Sequence, residues 1–224
     1  MTKPATIAFD IYGTLIDPLG IATKLADVVG DDAPQVAQLW RDKQIEYLFR
    51  RGLMDDYEDF PVCTRQAFEY TCERLQLTVS DTDKEMLMAQ YRQLPAYPEV
   101  PAALRKIRAV GCRMYAFSNG SPDDLQALLA HAGLDSVLDG IVSVHEVRSF
   151  KPDPRVYRHF LETTESTAGQ TWLVSGNAFD VIGAHACGWQ TAWLKRDPAL
   201  VFDPWGMQPT VTVSEMRNLA GCLI

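Results

Sequence analysis

The chain has 224 residues, 47% hydrophobic and 22% charged, with a mean hydropathy of −0.11. This is the balance of one large globular domain, or of a core with an insertion, and it excludes low-complexity disorder and fibrous repeats. With 21 Lys and Arg against 29 Asp and Glu the formal charge is −8, so no nucleic acid and no membrane is expected as a partner. No uncharged apolar run approaches the length of a bilayer span, and the N-terminus does not read as a secretory signal. Five scattered cysteines without CxxC spacing read as free, buried thiols of a cytoplasmic protein.

Residues 5–10 (ATIAFD) form a short apolar run that ends on an acid and enters Tyr-Gly-Thr, the pattern of a buried strand running into a tight turn. Comparable runs follow at 112–118, 140–144, 171–175 and 189–194, with Val211-Thr212-Val213 as a short last strand. Helical patterns fill 99–110, 122–132, 153–165 and 179–187, and Gly111, Gly133 and Gly188 stand where helices end. Strand–helix alternation with almost wholly apolar strands predicts an α/β fold with a doubly wound parallel sheet covered on both faces.

One interval breaks the rhythm. Residues 16–97 carry only helical periodicity: Val36, Leu39, Trp40, Lys43 and Tyr47 fall on one stripe, and Arg41, Ile45 and Leu48 on another. Further helices fit 61–76 and 80–93, and Pro95 and Pro98 close the segment. We therefore expect a core of residues 1–15 and 98–224, with a helical cap, 16–97, inserted after the first strand. Open α/β sheets bind ligands beyond the carboxyl ends of their strands, so such a cap would roof that rim.

Four segments reach the rim: Asp10 to Thr14, Ser118 to Ser121, Lys151-Pro152, and Ser175 to Asp180. Each has a plain structural reading. Asp10 fits a turn, Ser121 a helix cap, Pro152 the first residue of a helix, and Asp180 a first-turn acid that complements the helix dipole. An acid, a hydroxyl, a lysine and a second acid at four separate strand ends make a reactive centre the better account of the set.

These segments, in this order and with a helical insertion after the first, resemble the haloacid dehalogenase (HAD) superfamily across the whole chain. The resemblance implies Asp10 as nucleophile. Phosphatases of that superfamily carry a second acid two residues beyond the nucleophile and a further acid in the fourth segment for Mg²⁺. Here those positions are Tyr12 and Gly176, so neither a metal nor any other cofactor is expected. Tyr12, Ser118-Asn119-Gly120, Lys151 with Tyr157, and Ser175 to Asp180 are instead similar to the L-2-haloacid dehalogenase branch. So are Arg41-Asp42-Lys43-Gln44-Ile45-Glu46-Tyr47 and the stretch from Asp56 to Phe60. Two positions depart. Asp42 is an acid near an anionic substrate and is expected to point to solvent, and Phe179 stands where some relatives have Trp. The resemblance implies hydrolysis of small (S)-2-haloacids to (R)-2-hydroxyacids and halide, by a homodimer.

The chemistry calls for these residue types. Displacing halide from a tetrahedral carbon needs an in-line nucleophile, and a carboxylate fixed at a strand end supplies one and forms an ester. Lys151 favours the ionised Asp10, and Thr14 can hydrogen-bond it. The resemblance assigns the substrate carboxylate to the Ser118 hydroxyl and the backbone N–H groups of Ile11 and Tyr12. Arg41, Asn119 and the edge of Phe179 suit the leaving halide. Asp180 is the candidate base for the water that opens the ester, held by Asn177 and Lys151, and Tyr12, Ile45 and Phe60 are candidate walls for the alkyl group. Tyr157 and Ser175 join the catalytic set through the resemblance. Two other readings stay open: a phosphatase or phosphonatase-like hydrolase, against which Tyr12 and Gly176 stand, and a non-catalytic small-acid-binding protein, which has no need of Asp10 facing Asp180. The histidines and Trp172, Trp189 and Trp193 read as packing or surface residues, and the acidic run 55–59 as a solvated turn.

Overall fold

The computed structural model describes residues 5–222. Six strands, Thr6–Phe9 (β1), Arg113–Ser118 (β2), Gly140–Ser143 (β3), Thr171–Ser175 (β4), Gln190–Leu194 (β5) and Val211–Val213 (β6), form one sheet in the order β3-β2-β1-β4-β5-β6. Every pairing is parallel. All four residues of β1 are buried, because helices cover both faces, as a parallel sheet requires. The chain leaves β1 towards β2 and β3 on one side and returns to β4 and β5 on the other. Phe9 is level with Ala116 of β2 and Val174 of β4, so Asp10 emerges at the switch between the two halves of the sheet.

Between β1 and β2 lie only helices: Ala22–Val29 (α1), Ala33–Met54 (α2), Phe60–Leu75 (α3), Asp81–Gln90 (α4) and, leading into β2, Val100–Arg108 (α5), with short 3-10 turns among them. Pro122–His131 (α6), Pro154–Thr163 (α7) and Ala178–Ala186 (α8) connect the remaining strands. The glycines after α5, α6 and α8 adopt the left-handed backbone expected of them, with φ of +86° at Gly111, +66° at Gly133 and +81° at Gly188. At α7 the first helical proline is Pro154, not Pro152, and Asp153 is the cap, accepting from the Arg155 N–H at 2.7 Å. Ser121 stands at the start of α6 but its side chain makes no cap hydrogen bond.

The two ends of the helical segment lie side by side. Asp17 N–H donates to Pro95 C=O at 2.9 Å, and Tyr97 N–H donates to Leu15 C=O at 3.0 Å. The buried face of α2 is Val36, Ala37, Trp40, Arg41, Gln44 and Leu48, which corrects the stripe drawn through Lys43 and Tyr47. Those two are half-buried on the flank, where the Lys43 ammonium sits 4.2 Å from the centre of the Tyr70 ring on α3. Trp40 fastens the two helices by donating its indole N–H to Thr64 C=O at 2.8 Å.

Asp42 is exposed and accepts from Gln38 at 2.8 Å. In the acidic run 55–59 the carboxylates are exposed, but Tyr57 is buried and stacks on Phe150. All five cysteines are free thiols; only Cys63 and Cys72 are buried, the other three being half-exposed because they lie at helix and strand ends. No helix among the described residues is long and apolar enough to cross a membrane.

Candidate active site

The sheet brings Asp10, Lys151 and Asp180 together at its carboxyl edge. The Lys151 ammonium uses its three N–H directions on Asp10 Oδ1 at 3.2 Å, Asp180 Oδ2 at 2.7 Å and Phe117 C=O at 2.8 Å. It lies 4.1 Å from the centre of the Phe117 ring. Lys151 and Asp180 are fully shielded from solvent, and Asp10 is 7% exposed. One cation between two carboxylates leaves a single net negative charge, which makes this burial tolerable.

The two oxygens of Asp10 are unequally partnered. Oδ2 accepts from Thr14 Oγ1 at 2.7 Å, Ser175 Oγ at 3.1 Å and Asn177 Nδ2 at 2.7 Å. Oδ1 has Lys151 as its partner. The amide of Asn177 also donates to Tyr12 C=O at 2.9 Å. This corrects the expected role of Asn177: its side chain holds Asp10 and not Asp180, because the start of α8 lies over the loop after β1. Asp180 is held instead by Lys151 and by the Tyr157 hydroxyl, which donates to Oδ1 at 2.8 Å. Burial pushes the Asp180 carboxyl up to about 6; Lys151 draws it down and the neighbouring Asp10 raises it.

The loop from Asp10 to Ile16 is a tight turn in which Gly13 takes φ +89°, and a Cβ at that position would stand 3.4 Å from the Asn177 amide. The Ile11 and Tyr12 N–H groups make no hydrogen bond among the described residues. Ser118 Oγ accepts from Gly120 N–H at 3.1 Å and keeps its own hydrogen free. Asn119 Oδ1 accepts from Lys151 N–H at 2.9 Å, which turns its amide nitrogen away from that contact.

A cavity of about 20 Å³ lies among these groups, roofed by Arg41, Ile45, Leu48 and Phe49 of α2 and by Phe60, and walled on the core side by Tyr12, Ser118, Asn119, Lys151 and Phe179. Tyr12 and Phe60 stack at 5.0 Å and 18° and separate it from a larger cavity of about 270 Å³. Burial drives the Tyr12 phenol far above its ordinary range, so it stays protonated. Phe179 meets Phe49 edge-on at 4.9 Å. Arg41 reaches down from α2 and donates to Tyr12 C=O at 3.3 Å.

The side chains predicted from sequence line this cavity or contact one that does, except Tyr157, which stands behind Asp180, and Ile11, whose predicted role is its backbone N–H. Several supporting residues were not foreseen. Phe49 and Leu48 add to the roof. Arg196, beyond β5, donates to the carbonyls of Gly13 at 3.4 Å and Thr14 at 2.7 Å while paired with Glu99, and so braces the Asp10 loop. Gly183 lets Tyr157 reach Asp180, since a Cβ there would lie 2.4 Å from the Tyr157 hydroxyl. A glycine amid small residues on a helix pattern was the one sequence signal for it.

At the two positions where a metal-binding relative would carry acids this chain has Tyr12 and Gly176. A Cβ at Gly176 would stand 2.3 Å from Gly13 C=O, so no carboxylate side chain fits there without moving the loop. The place between Asp10 and Asp180 is filled by the Lys151 ammonium. These donors do not suit Mg²⁺.

The family model for haloacid dehalogenase-like hydrolases matches residues 4–188. The chain is 35% identical over 211 residues to an (S)-2-haloacid dehalogenase of Pseudomonas sp. (strain YL), covering 94% of this chain and 90% of that protein. It is 34% identical to haloacetate dehalogenase H-2 of Moraxella sp. (strain B), with 96% of each chain covered. Among solved structures, L-2-haloacid dehalogenase from Xanthobacter autotrophicus with chloropropionic acid covalently bound is similar at a TM-score of 0.93 and 29% identity, over 99% of this chain and 98% of that one.

Proposed function

This chain belongs to the haloacid dehalogenase-like hydrolases, in the L-2-haloacid dehalogenase branch, and from that premise we propose that it hydrolyses small (S)-2-haloalkanoic acids to (R)-2-hydroxyacids and halide through an ester on Asp10. Its reaction class is hydrolysis of a carbon–halide bond. The observation that carries the mechanistic reading is the asymmetry of the Asp10 carboxylate.

Oδ1, with one partner, has a lone pair to spare and is the attacking oxygen; Oδ2, with three donors, stays in place. Attack forms the Oδ1–carbon bond as the carbon–halogen bond breaks, with inversion. Arg41, the Asn119 amide and the Phe179 edge receive the halide. The substrate carboxylate is held by the Ser118 hydroxyl and the free N–H groups of Ile11 and Tyr12, and its alkyl group lies among Tyr12, Ile45 and Phe60. Water then adds to Cγ of Asp10, passing one proton to Asp180. Negative charge gathers on Oδ2, where Thr14, Ser175 and Asn177 already point hydrogen-bond donors, as an oxyanion hole does. Breaking the Cγ–Oδ1 bond returns that proton to the hydroxyacid oxygen, and Asp10 re-ionises with an oxygen from water.

In this scheme residues 1–15 and 98–224 are the chemical core and residues 16–97 the cap. The cavity of about 20 Å³ holds little more than one water. Substrate entry therefore requires the cap to swing on the two hydrogen-bonded segments near Leu15 and Tyr97. No cofactor is needed, and a cytoplasmic homodimer completes the proposal on the family resemblance.

Chiral chromatography of products from racemic 2-chloropropionate tests the reading. Nucleophile below, halide cradle above and carboxylate clamp to the side leave one arrangement of hydrogen and alkyl on the reacting carbon. The (S)-enantiomer alone should be consumed and (R)-lactate should accumulate. Similar consumption of both enantiomers, or (S)-lactate from (S)-substrate, contradicts this arrangement. Phosphate released from p-nitrophenyl phosphate, with no chloride from the haloacid, would select the phosphatase alternative.

A pH dependence follows from Asp180. As the base it must be ionised, so kcat should fall about tenfold per pH unit on the acid side and level off above a midpoint near the value of about 6. The Tyr157 hydroxyl stabilises the charged form, so Tyr157→Phe should move that midpoint upward. A downward move, or none, would show that another group sets the acid limb.

A further inference from the structure

We propose that Gln44 is a positioning residue, which aims the Arg41 guanidinium at the halide while leaving its positive charge unneutralised. The proposal rests on the reading that Arg41 holds the leaving halide. Gln44 stands one helical turn beyond Arg41 on the buried face of α2 and is fully shielded from solvent. Its Oε1 accepts from Arg41 Nη1 at 2.7 Å, and its Nε2 donates to Thr64 Oγ1 at 2.5 Å. The Thr64 hydroxyl spends its hydrogen on Phe60 C=O at 2.8 Å. Thr64 can therefore only accept from Gln44, and a guanidinium can only donate to it. Position 44 must be an acceptor at one end and a donor at the other, which is the pattern of a primary amide.

The charge of the side chain matters as much as the pattern. Both hydrogen bonds that Arg41 makes among the described residues go to neutral oxygens, Gln44 Oε1 and Tyr12 C=O. A buried arginine held by a carboxylate would already have its counter-ion, and an anion arriving beside it would meet a neutral pair. Held by an amide and a carbonyl, it keeps its full charge and its remaining N–H groups for an anion in the cavity. The chain from Arg41 through Gln44 and Thr64 to the Phe60 carbonyl also fixes the halide side of the pocket to the start of α3, which carries the Phe60 wall.

The test compares Gln44→Glu, Gln44→Met and Arg41→Lys in the full chain. For each, kcat and KM for (S)-2-chloropropionate, inhibition by chloride and bromide, and the melting midpoint are measured. Gln44→Glu should lower kcat about 100-fold and weaken halide inhibition about tenfold. KM should change little, since the substrate carboxylate is held elsewhere. Gln44→Met adds no charge and should lose less halide affinity than Gln44→Glu. The reverse order, or wild-type halide inhibition in both variants, overturns the proposal. Should Gln44→Glu fail to fold, Gln44→Met carries the test alone: halide inhibition must weaken without a matching loss in melting midpoint, and wild-type halide inhibition again overturns it. Wild-type kcat and halide inhibition in Arg41→Lys would instead remove the reading on which the proposal stands.

Discussion

Asp10→Asn should lose roughly 10⁴-fold or more of kcat on 2-chloropropionate, the scale of removing a covalent nucleophile. Two effects add. The amide lacks the negative charge that drives displacement. It also cannot be accommodated by the donors already in place: an NH₂ on the Oδ2 side would face Thr14, Ser175 and Asn177, and on the Oδ1 side it would face the Lys151 ammonium. In either orientation a donor meets donors. Activity that returns slowly on storage would report deamidation to the native residue, whereas wild-type turnover in fresh protein would sink the covalent route. The isotope experiment is complementary. A single turnover of the unmodified chain in H₂¹⁸O should place label in the Asp10 carboxylate, read by peptide mass spectrometry, and leave the first hydroxyacid unlabelled.

Much of this arrangement was legible in the sequence for physical reasons that can be named. Strands buried on both faces are almost wholly apolar, so β1, β2 and β4 stand out, and the acids and hydroxyls that end them are conspicuous against that background. Left-handed turns select glycine, which is why Gly111, Gly133 and Gly188 mark helix ends. The errors are equally physical. Lys43 and Tyr47 have long apolar stems, so a hydrophobic stripe absorbs them although they lie on a flank. Gln44 is polar and falls on no apolar stripe, yet it is more deeply buried than either, because its partners Arg41 and Thr64 satisfy it. No periodicity could reveal Thr64 as that partner, or bring Arg196 to the Gly13 and Thr14 carbonyls, since both depend on how distant segments dock. Asn177 was assigned to the wrong carboxylate for the same reason: it follows β4 between Asp10 and Asp180, and only the path of the loop decides which one its amide meets. Tyr157 and Ser175 carried no signal beyond family resemblance, while the geometry gives each a specific oxygen to hold.

Lys151→Met should be the most disruptive substitution to the fold near the site as well as to turnover. The side chain is replaced at similar length, but its ammonium contacts to Asp10, Asp180 and the Phe117 carbonyl are lost. Two buried carboxylates then share a site without a cation. Removing one partner of a buried ion pair typically costs about 3–5 kcal/mol, because the remaining charge is stranded. Native Asp180 sits at about 6 with Lys151 drawing it down and Asp10 pushing it up; without the lysine the upward influences of burial and Asp10 are opposed only by the Tyr157 hydrogen bond. A carboxyl whose folded value lies above its unfolded one binds protons more tightly when folded, so its destabilising charge is relieved as pH falls below the folded value and is fully felt above it. The loss of stability in Lys151→Met should therefore be larger at about pH 7.5 than at about pH 5, measured by urea unfolding of mutant and wild type at each pH. Chloride release should fall by about 10³-fold or more in the same protein, since neither the nucleophile nor the base is then held and charged correctly. Equal losses of stability at the two pH values would mean that the lysine acts by packing against Phe117 and not as the cation that balances the two acids.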